Sequence, residues 1–286
     1  MNFNCNFSDR YKLFESSGIK DMNIKMPVIK INELIKKDKV YGERIDFEIL
    51  NLCGFFIIRN YFSSNLIEKY RKIYFDYKFS KSFDRTKGHL TEVVFGLDHQ
   101  LTKIIYEEEF TNFVAQFFNG NVGLYNIRIV KKDKDDILPV FLHQDICYQY
   151  GSFNRYSIFV PLTECNQENG GLTFLPGSHK FGYLGDAGEI SDILPAELIR
   201  ITPSVKPTDL IVMDSCLWHK SGRNSTLNDR IYYDIHINNA NDTASKVVIS
   251  GKRDEEWQFN YDQEIIFKNS RNQRLRKLYS ELGKGK

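Results

Sequence analysis

The spacing of apolar residues changes near the middle of the chain. In the first half they recur mainly at helical intervals, and Gly54 and the pair Ser63 and Ser64 are predicted to mark helix ends. In the second half short apolar or alternating runs are separated by turn signals such as Asn-Gly-Gly and Pro-Gly. The predicted helices are 45–52, 66–77 and 110–118, and the predicted strands are 55–59, 125–131, 140–147, 156–162, 172–175, 209–213 and 230–237. Helices first and strands afterwards predict an α+β arrangement that is mainly β.

Length and composition favour one domain. The chain has 286 residues and no Pro/Gly/Ser tract, low-complexity run or internal repeat. Its hydrophobic fraction of 42% is ordinary, and a chain of this length can bury a sizeable core. We predict an N-terminal extension over residues 1–40, then a single domain over residues 41–286 that ends in a helical C-terminal tail.

The net charge and the cysteines indicate which binding partners and which cellular compartment to expect. A net charge of +2 does not favour a nucleic-acid partner, and the basic residues after Lys268 are interpreted as a solvated helix face. The five cysteines include no Cys-x-x-Cys pair, which predicts reduced thiols in the cytoplasm. Residues 2–20 lack the apolar core of a signal peptide, and no run approaches the roughly 18 apolar residues of a membrane helix. We expect a cytoplasmic protein without membrane insertion, and its oligomeric state stays open.

Three residues form a candidate metal site. Residues i and i+2 of a strand project to one side, so His143 and Asp145 are predicted to face one metal ion from a single strand. A distant His219 completes two imidazoles and one carboxylate, which with open coordination positions is the ligand set of non-haem Fe(II) oxygenases. Arg230 follows 11 residues after His219, and a fixed guanidinium can bind a second carboxylate as a two-pronged fork.

Three motifs in this order resemble the phytanoyl-CoA dioxygenase family of Fe(II)- and 2-oxoglutarate-dependent oxygenases. They are Phe-Leu-His-Gln-Asp at 141–145, Asn-Gly-Gly-Leu-Thr-Phe-Leu-Pro-Gly-Ser-His-Lys at 169–180, and His-Lys-Ser-Gly-Arg-Asn at 219–224, followed by Arg230. The resemblance runs from about residue 45 to about residue 240. It implies a double-stranded β-helix, which is a cupin-like jelly-roll of two facing sheets, buttressed by N-terminal helices. In that fold the alternation of residues 230–237 would turn the odd positions, all Ile or Tyr, toward the helices and the even positions into the barrel.

The resemblance also implies cofactors and a reaction. His143, Asp145 and His219 would hold Fe(II), with 2-oxoglutarate in two further positions and O2 in the last. Arg230 would hold the distal carboxylate of 2-oxoglutarate, helped by a hydrogen bond from Ser221. The protein would then be a dioxygenase that hydroxylates a small-molecule metabolite through a ferryl intermediate, with Arg230 and the three metal ligands as its catalytic residues. Halogenating relatives carry Gly or Ala at the carboxylate position, so Asp145 favours hydroxylation.

Other polar and aromatic residues allow several assignments. His179 is predicted to shape a turn, and His236 is predicted to lie too deep or too far away to bind the metal. Asp209 and Asp214 are predicted to cap turns. The residues that could border a substrate pocket or steer an anionic substrate are His89, His99, Arg128, Lys131, Tyr148, Tyr150 and Trp218, and for each a structural role stays open.

The alternative hypothesis is a metal-binding jelly-roll without oxygenase activity, such as a cupin-like isomerase or a ligand-binding protein. Arg230 and Ser221 argue against it, because they have no evident role there without a dicarboxylate. The substrate class beyond a small molecule is not predicted. The 39 residues between His179 and His219 favour a compact lid and a small substrate.

Overall fold

In the computed structural model, helices come first and strands dominate from residue 122 onward. The structure describes residues 27–76, 90–93, 100–134, 139–149, 151–183 and 199–254. The α-helices in these ranges are α1 (Val28–Lys36), α2 (Phe47–Cys53), α3 (Ser64–Asp76) and α4 (Glu108–Val114). Segments of 3-10 helix lie at Gln100–Tyr106, Phe118–Gly120, Asp145–Tyr148 and Ser178–Phe181. The strands are β1 (Tyr41–Gly42), β2 (Phe55–Ile58), β3 (Leu90–Val93), β4 (Val122–Lys132), β5 (Val140–His143), β6 (Tyr156–Pro161), β7 (Leu172–Phe174), β8 (Leu210–Asp214), β9 (His219–Ser221), β10 (Arg230–Asn239) and β11 (Val247–Ser250).

The strands form two sheets, and from β4 to β10 successive strands alternate between them. The larger sheet has the order β1-β2-β8-β6-β10-β4-β11, with β3 also paired to β4, and the smaller sheet has the order β5-β9-β7. From β4 to β10 each even-numbered strand therefore lies in the larger sheet and each odd-numbered strand in the smaller one. Phe55 of the larger sheet stacks on Phe174 of the smaller sheet with ring centroids 4.6 Å apart, so the two sheets face each other. This alternation is the double-stranded β-helix that the resemblance implies, and the predicted fold class is confirmed.

The central strand β10 separates an outer apolar layer from the barrel interior. Its odd-numbered residues, Ile231 to Ile237, belong to a fully buried cluster that includes Tyr70 of α3 and Phe110 of α4. Its even-numbered residues face the other way, where the ring of Tyr232 meets Phe159 in an inner cluster between the sheets. Because side chains of a strand alternate between its faces, one strand supplies both layers.

Helix α1 lies within the predicted N-terminal extension but shares the apolar interior of the barrel. Ile31, Ile35 and Val40 are buried in the same inner cluster as Phe55 and Phe174. We therefore expect residues 28–40 to fold together with the domain, and the boundary at residue 40 stays a proposal. The predicted helical tail after residue 254 lies outside the described residues.

The predicted strand over residues 140–147 was wrong in its second half. β5 ends at His143, and a 3-10 segment begins at Asp145. Distant groups hold the chain in this turn: the Ile146 amide donates to the Ser215 carbonyl at 3.0 Å, and the Gln144 side chain donates to the Cys216 carbonyl at 2.5 Å. The other predicted strands occur with ends shifted by a few residues, while the helix expected over 110–118 is α4, which ends at Val114.

Two further features of the described residues concern membrane-spanning helices and the cysteines. None of the helices there is long and apolar enough to cross a bilayer. Among the described cysteines, Cys53, Cys165 and Cys216 are buried and free.

Gly54 allows α2 and the turn at His179 to come together. It ends α2 in the left-handed conformation with φ +82°, and an added Cβ would lie 2.5 Å from His179 Nδ1 and 2.6 Å from Leu217 Cδ1. Gly54→Ala is therefore expected to lower the free energy of unfolding by at least about 2 kcal/mol, from backbone strain and overpacking together. Urea unfolding measures this loss.

Gly120→Ala is the matched control for this prediction. Gly120 has φ +85°, but its added Cβ would meet only Ala115 O at 3.8 Å, which is an ordinary contact. The control should show the strain of the left-handed backbone without the clash, and so a smaller loss of stability. Equal losses in the two variants would contradict the role given to the packing of His179 against Gly54.

Candidate metal centre

His143, Asp145 and His219 converge at the pairing of β5 with β9. The two histidines are direct partners in the antiparallel register, and their ring centroids lie 4.2 Å apart. Asp145 opens the 3-10 segment that follows β5, and its Oδ1 lies 3.6 Å from Nε2 of each histidine. Asp145 and His219 are buried, and the side chain of His143 is 12% exposed. The three predicted ligands therefore meet, although Asp145 comes from a turn and not from the strand itself.

This arrangement fits a divalent cation. One donor atom from each residue lies within 4.8 Å of the other two. Two ligand atoms bound about 2.1 Å from one metal on adjacent positions lie roughly 3 Å apart, so the two nitrogen–oxygen distances of 3.6 Å would each shorten by roughly 0.6 Å on binding. Two imidazoles and one carboxylate leave coordination positions open, which is the donor set of non-haem Fe(II) oxygenases.

Hydrogen bonds from neighbouring groups orient two of the three side chains. His219 Nδ1 donates to the Leu217 carbonyl at 3.0 Å, which leaves Nε2 as the nitrogen that faces Asp145. Ser157 Oγ donates to Asp145 Oδ2 at 2.7 Å, which leaves Oδ1 directed at the histidines. Such outer contacts typically set the tautomer and direction of metal ligands.

His219 and Asp145 are in the protonation states that metal binding requires. Burial and the nearby His143 together lower the pKa of His219 to about 4, so the imidazole is neutral at pH 7. Burial opposes ionisation of Asp145, but the neighbouring His219 and His143 more than offset it and hold the pKa of this carboxyl well below its usual range. A neutral imidazole beside an ionised carboxylate can bind a metal without first losing a proton.

Arg230 and Ser221 lie inside the barrel, as predicted. Arg230 opens β10 on the interior face, is 2% exposed, and holds its guanidinium 5.1 Å from the centre of the Tyr232 ring. Ser221 ends β9 and is buried on the same side of that strand as His219. Lys132, the register partner of Arg230, is also fully buried, and its Nζ donates to the Gly222 carbonyl at 2.5 Å. This end of the interior therefore carries two buried cations.

Comparison with known proteins identifies the family. The model of the family described as phytanoyl-CoA dioxygenase (PhyH) matches residues 54–232, which is more than half of the chain. The chain belongs to the PhyH family. The match includes the three candidate ligands, Ser221 and Arg230.

Relatives of this PhyH-family chain include a fungal enzyme. The dioxygenase cdmD of Talaromyces verruculosus is 26% identical over 147 residues, which are 46% of this chain and 41% of that protein. The matched region thus spans less than half of the curated relative.

Solved structures share the fold at low sequence identity. The epimerase SnoN in complex with Fe3+, alpha ketoglutarate and nogalamycin RO has a TM-score of 0.58 and 17% identity, over 68% of this chain and 82% of that one. HygX from Streptomyces hygroscopicus, with nickel, 2-oxoglutarate and hygromycin B bound, has a TM-score of 0.53 and 17% identity, over 68% and 86% of the two chains. These likenesses show the jelly-roll fold.

His236 was predicted to lie too deep or too far away to bind the metal, and this stays a prediction, although the ring lies close to Asp145. Its ring nitrogen, one oxygen of Asp234 and one oxygen of Asp145 all lie within 4.8 Å of one another. The cause is the register of β10 on β6, which places His236 opposite Ser157, the residue that bonds Asp145. Only the pairing of two distant strands reveals this proximity.

The structural roles predicted for His179 and the two aspartates are confirmed. His179 is buried in its 3-10 segment, and its Nε2 hydrogen-bonds the carbonyl of Asn51 at 2.8 Å. Asp209 accepts from the backbone amides of Asn60 and Lys206, and Asp214 accepts from that of Cys216.

The aromatic and cationic residues that could border a substrate pocket fall into three groups: a core residue, two ion-paired residues, and residues outside the described ranges. Trp218 is 1% exposed and packs with Leu142 and Leu175, so it is core. Lys131 pairs with Asp229 at 2.7 Å, whereas Arg128 points inward and pairs with Asp234 at 2.6 Å. The candidates outside the described residues are His89, His99, Tyr150 and the side chain of Tyr148.

The Ser157 hydroxyl is expected to set the metal affinity through Asp145. Ser157→Ala removes the bond to Oδ2, so the carboxylate can rotate, and loss of such an outer contact typically costs about 10–100-fold in affinity. Anaerobic titration of the protein with Fe(II) against a chelating indicator measures the change. Ser225→Ala is the control, since Ser225 bonds a surface carbonyl, that of Glu168. An unchanged affinity in Ser157→Ala would refute the orienting role.

Proposed function

We propose that this PhyH-family protein is an Fe(II)- and 2-oxoglutarate-dependent dioxygenase that hydroxylates a small-molecule metabolite. The observation that carries the proposal is the convergence of His143, Asp145 and His219 in a barrel whose interior also buries Arg230. Membership of the PhyH family supports it, as do the iron, nickel and ketoglutarate bound in SnoN and HygX.

The metal ligands are His143, Asp145 and His219 in this proposal. They are held in place before any metal binds, because the β5–β9 register, the Leu217 carbonyl and the Ser157 hydroxyl each restrict one of them. When bound, Fe(II) supplies the activation of O2, coupled to decarboxylation of 2-oxoglutarate. The chain itself contributes orientation and a largely buried site.

The co-substrate anchor is Arg230 in this proposal, with Ser221 as its neighbour. The planar fork of a guanidinium matches a carboxylate in geometry and charge. Arg230 and Lys132 together place positive charge at one end of the interior, where the distal carboxylate of 2-oxoglutarate would lie. The adjacent inner cluster with Tyr232 and Phe159 keeps water from this end.

Hydroxylation is the outcome that Asp145 favours. The carboxylate occupies the position that a halide would need, and Ser157 holds it there. One structural neighbour is an epimerase, so proteins of this fold are not all hydroxylases. The alternative of a metal-binding jelly-roll without oxygenase activity predicts no turnover of 2-oxoglutarate.

Asp145→Ala is expected to abolish the turnover of 2-oxoglutarate, because two imidazoles alone bind iron weakly. Succinate formation by the iron-loaded protein measures turnover, and mass spectrometry of the substrate pool identifies the product. The control is Asp229→Ala, which removes a partly exposed carboxylate that pairs with Lys131. A wild-type protein that chlorinated its substrate would show that the role of Asp145 has been misassigned.

Arg230→Ala is expected to raise the 2-oxoglutarate concentration needed for turnover while iron binding stays nearly intact. Loss of one member of a buried charge pair costs about 3–5 kcal/mol, or roughly two to four decades of affinity. Arg230→Lys should restore only part of the affinity, since an ammonium lacks the planar fork. Succinate formation across a 2-oxoglutarate titration, with iron content measured in parallel, tests this. Superimposable titration curves for wild type and Arg230→Ala would favour the inert jelly-roll.

A further inference from the structure

A row of polar side chains lies behind Asp145, on the side opposite the oxygen that faces the two histidine ligands. Ser157 Oγ donates to Asp145 Oδ2 at 2.7 Å, and the β10–β6 register places His236 directly opposite Ser157. Gln149 Nε2 in turn lies 2.5 Å from His236 Nδ1. Ser157 and His236 are buried, whereas Gln149 is partly exposed. The row therefore connects the third candidate ligand to the end of its own 3-10 segment.

The Ser157 hydroxyl has two acceptors within reach. Asp145 Oδ2 is 2.7 Å from its oxygen, and His236 Nδ1 is 3.5 Å from it. A hydroxyl carries one proton, so it orients the carboxylate only while that proton is not drawn to the imidazole. A cation on Oδ1 would neutralise the carboxylate and so make Oδ2 a weaker acceptor. The competition between the two acceptors is therefore strongest when the site is loaded.

Contacts on both sides of the His236 ring decide which nitrogen carries its proton. Nε2 lies 2.8 Å from Asp234 Oδ1, and Arg128 Nε donates to the other oxygen of that carboxylate at 2.6 Å, so the carboxylate acts as an acceptor. At Nδ1 the Gln149 side chain presents its NH2 group, because its oxygen faces a donor, Arg155, at 3.4 Å. Both contacts assign the proton to Nε2 and the lone pair to Nδ1.

Arg155 fixes the orientation of the Gln149 amide. Its guanidinium is fully buried, pairs with Asp242 at 3.1 Å and lies 4.5 Å from the centre of the Tyr125 ring. An amide with its oxygen and nitrogen exchanged would direct the NH2 group at the guanidinium and an acceptor at the lone pair of Nδ1, and both contacts would be repulsive. The donor at His236 is therefore set by a guanidinium that is itself anchored.

We infer that Gln149 is a positioning residue of the candidate metal centre, and the inference rests on the ligand set of the proposed function. Its NH2 group occupies the lone pair of His236 Nδ1, so Asp145 is the acceptor that remains for the Ser157 hydroxyl. That hydroxyl then holds Oδ2 and leaves Oδ1 directed at the two histidines. Gln149 thus acts on the metal site through two intermediate side chains.

A purely structural role for Gln149 is the competing explanation, because its side chain also bonds Arg155 and its backbone ends the 3-10 segment. In that case a replacement would lower stability, and any effect on metal affinity would be independent of Ser157. In the inferred role the effect requires Ser157, since its hydroxyl transmits it. The two explanations therefore differ in a double-mutant cycle.

The test measures the Fe(II) affinity of the full chain by anaerobic titration against a chelating indicator. Gln149→Met keeps an unbranched side chain but removes the NH2 group. It is expected to lose about tenfold in affinity, the lower end of the range for an outer contact of a metal ligand. In a Ser157→Ala background the same replacement is expected to change the affinity no further. Gln149→Leu replaces Gln149→Met if the latter does not fold.

Gln116→Met is the matched control for this titration. The Gln116 amide bonds a backbone carbonyl, that of Phe113 at the end of α4, so the control makes the same chemical change away from the metal centre. Its Fe(II) affinity is expected to equal that of wild type.

The ring proton of His236 gives a second readout that does not depend on metal affinity. ¹⁵N NMR of the metal-free protein, labelled at histidine, distinguishes protonated from bare ring nitrogens, and His236→Asn identifies the signals by their absence. The proton is expected on Nε2 in wild type. The Nδ1 signal is expected to shift in Gln149→Met, which loses the hydrogen bond, and to stay in place in Gln116→Met. If neither Gln149 variant folds, the position of the proton in wild type decides.

The inference is overturned if the Gln149 variants bind Fe(II) as tightly as wild type, if the losses of Gln149→Met and Ser157→Ala multiply in the double variant, or if the ring proton lies on Nδ1. A wild type that binds no Fe(II) would remove the ligand set and this inference together. Succinate formation with an affinity independent of Gln149 would remove only this inference. An affinity that depends on Gln149 through Ser157, without succinate formation, would support it and remove the oxygenase.

Discussion

The register of β5 on β9 is the constraint on which the site depends. In this antiparallel pair His143 and His219 are direct partners, although 76 positions separate them in the chain. Neighbouring strands fix the distance between partner residues to a few ångströms, so the two imidazoles are brought together by backbone hydrogen bonds and not by the metal. A shift of one residue would turn one histidine to the opposite face of the sheet.

The connection between β8 and β9 holds the third ligand against this pair. Its residues 215–217 supply three backbone carbonyls: Ser215 accepts from the Ile146 amide, Cys216 from the Gln144 side chain, and Leu217 from His219. The same short connection therefore ends the strand that carries His143, places Asp145, and sets the tautomer of His219. The carboxylate is brought to the imidazoles by a turn, and its position depends on contacts far away in the sequence.

The interior of the barrel carries different kinds of side chain along β10. Near its start, Tyr232 belongs to the apolar cluster between the sheets, and Arg230 is buried beside it. Toward its end, Asp234 and His236 face inward beside the metal centre. One strand can thus place side chains at several depths of the interior, because every second residue faces inward and each step of two residues advances about 7 Å along the barrel.

The sequence alone predicted a mainly β class, the three candidate metal ligands and the inward face of β10, from His-x-Asp, the order of the motifs and the strict alternation from Arg230 onward, while the jelly-roll followed from the family resemblance. The Pro-Gly-Ser-His turn and the caps at Asp209 and Asp214 were also local and predictable. Tertiary structure alone decided that Asp145 lies in a turn, that Ser157 orients it, and that His236 is its neighbour. The reason is physical: the spacing of residues in a chain sets which face a side chain occupies, but only the pairing of distant strands sets which side chains meet across it.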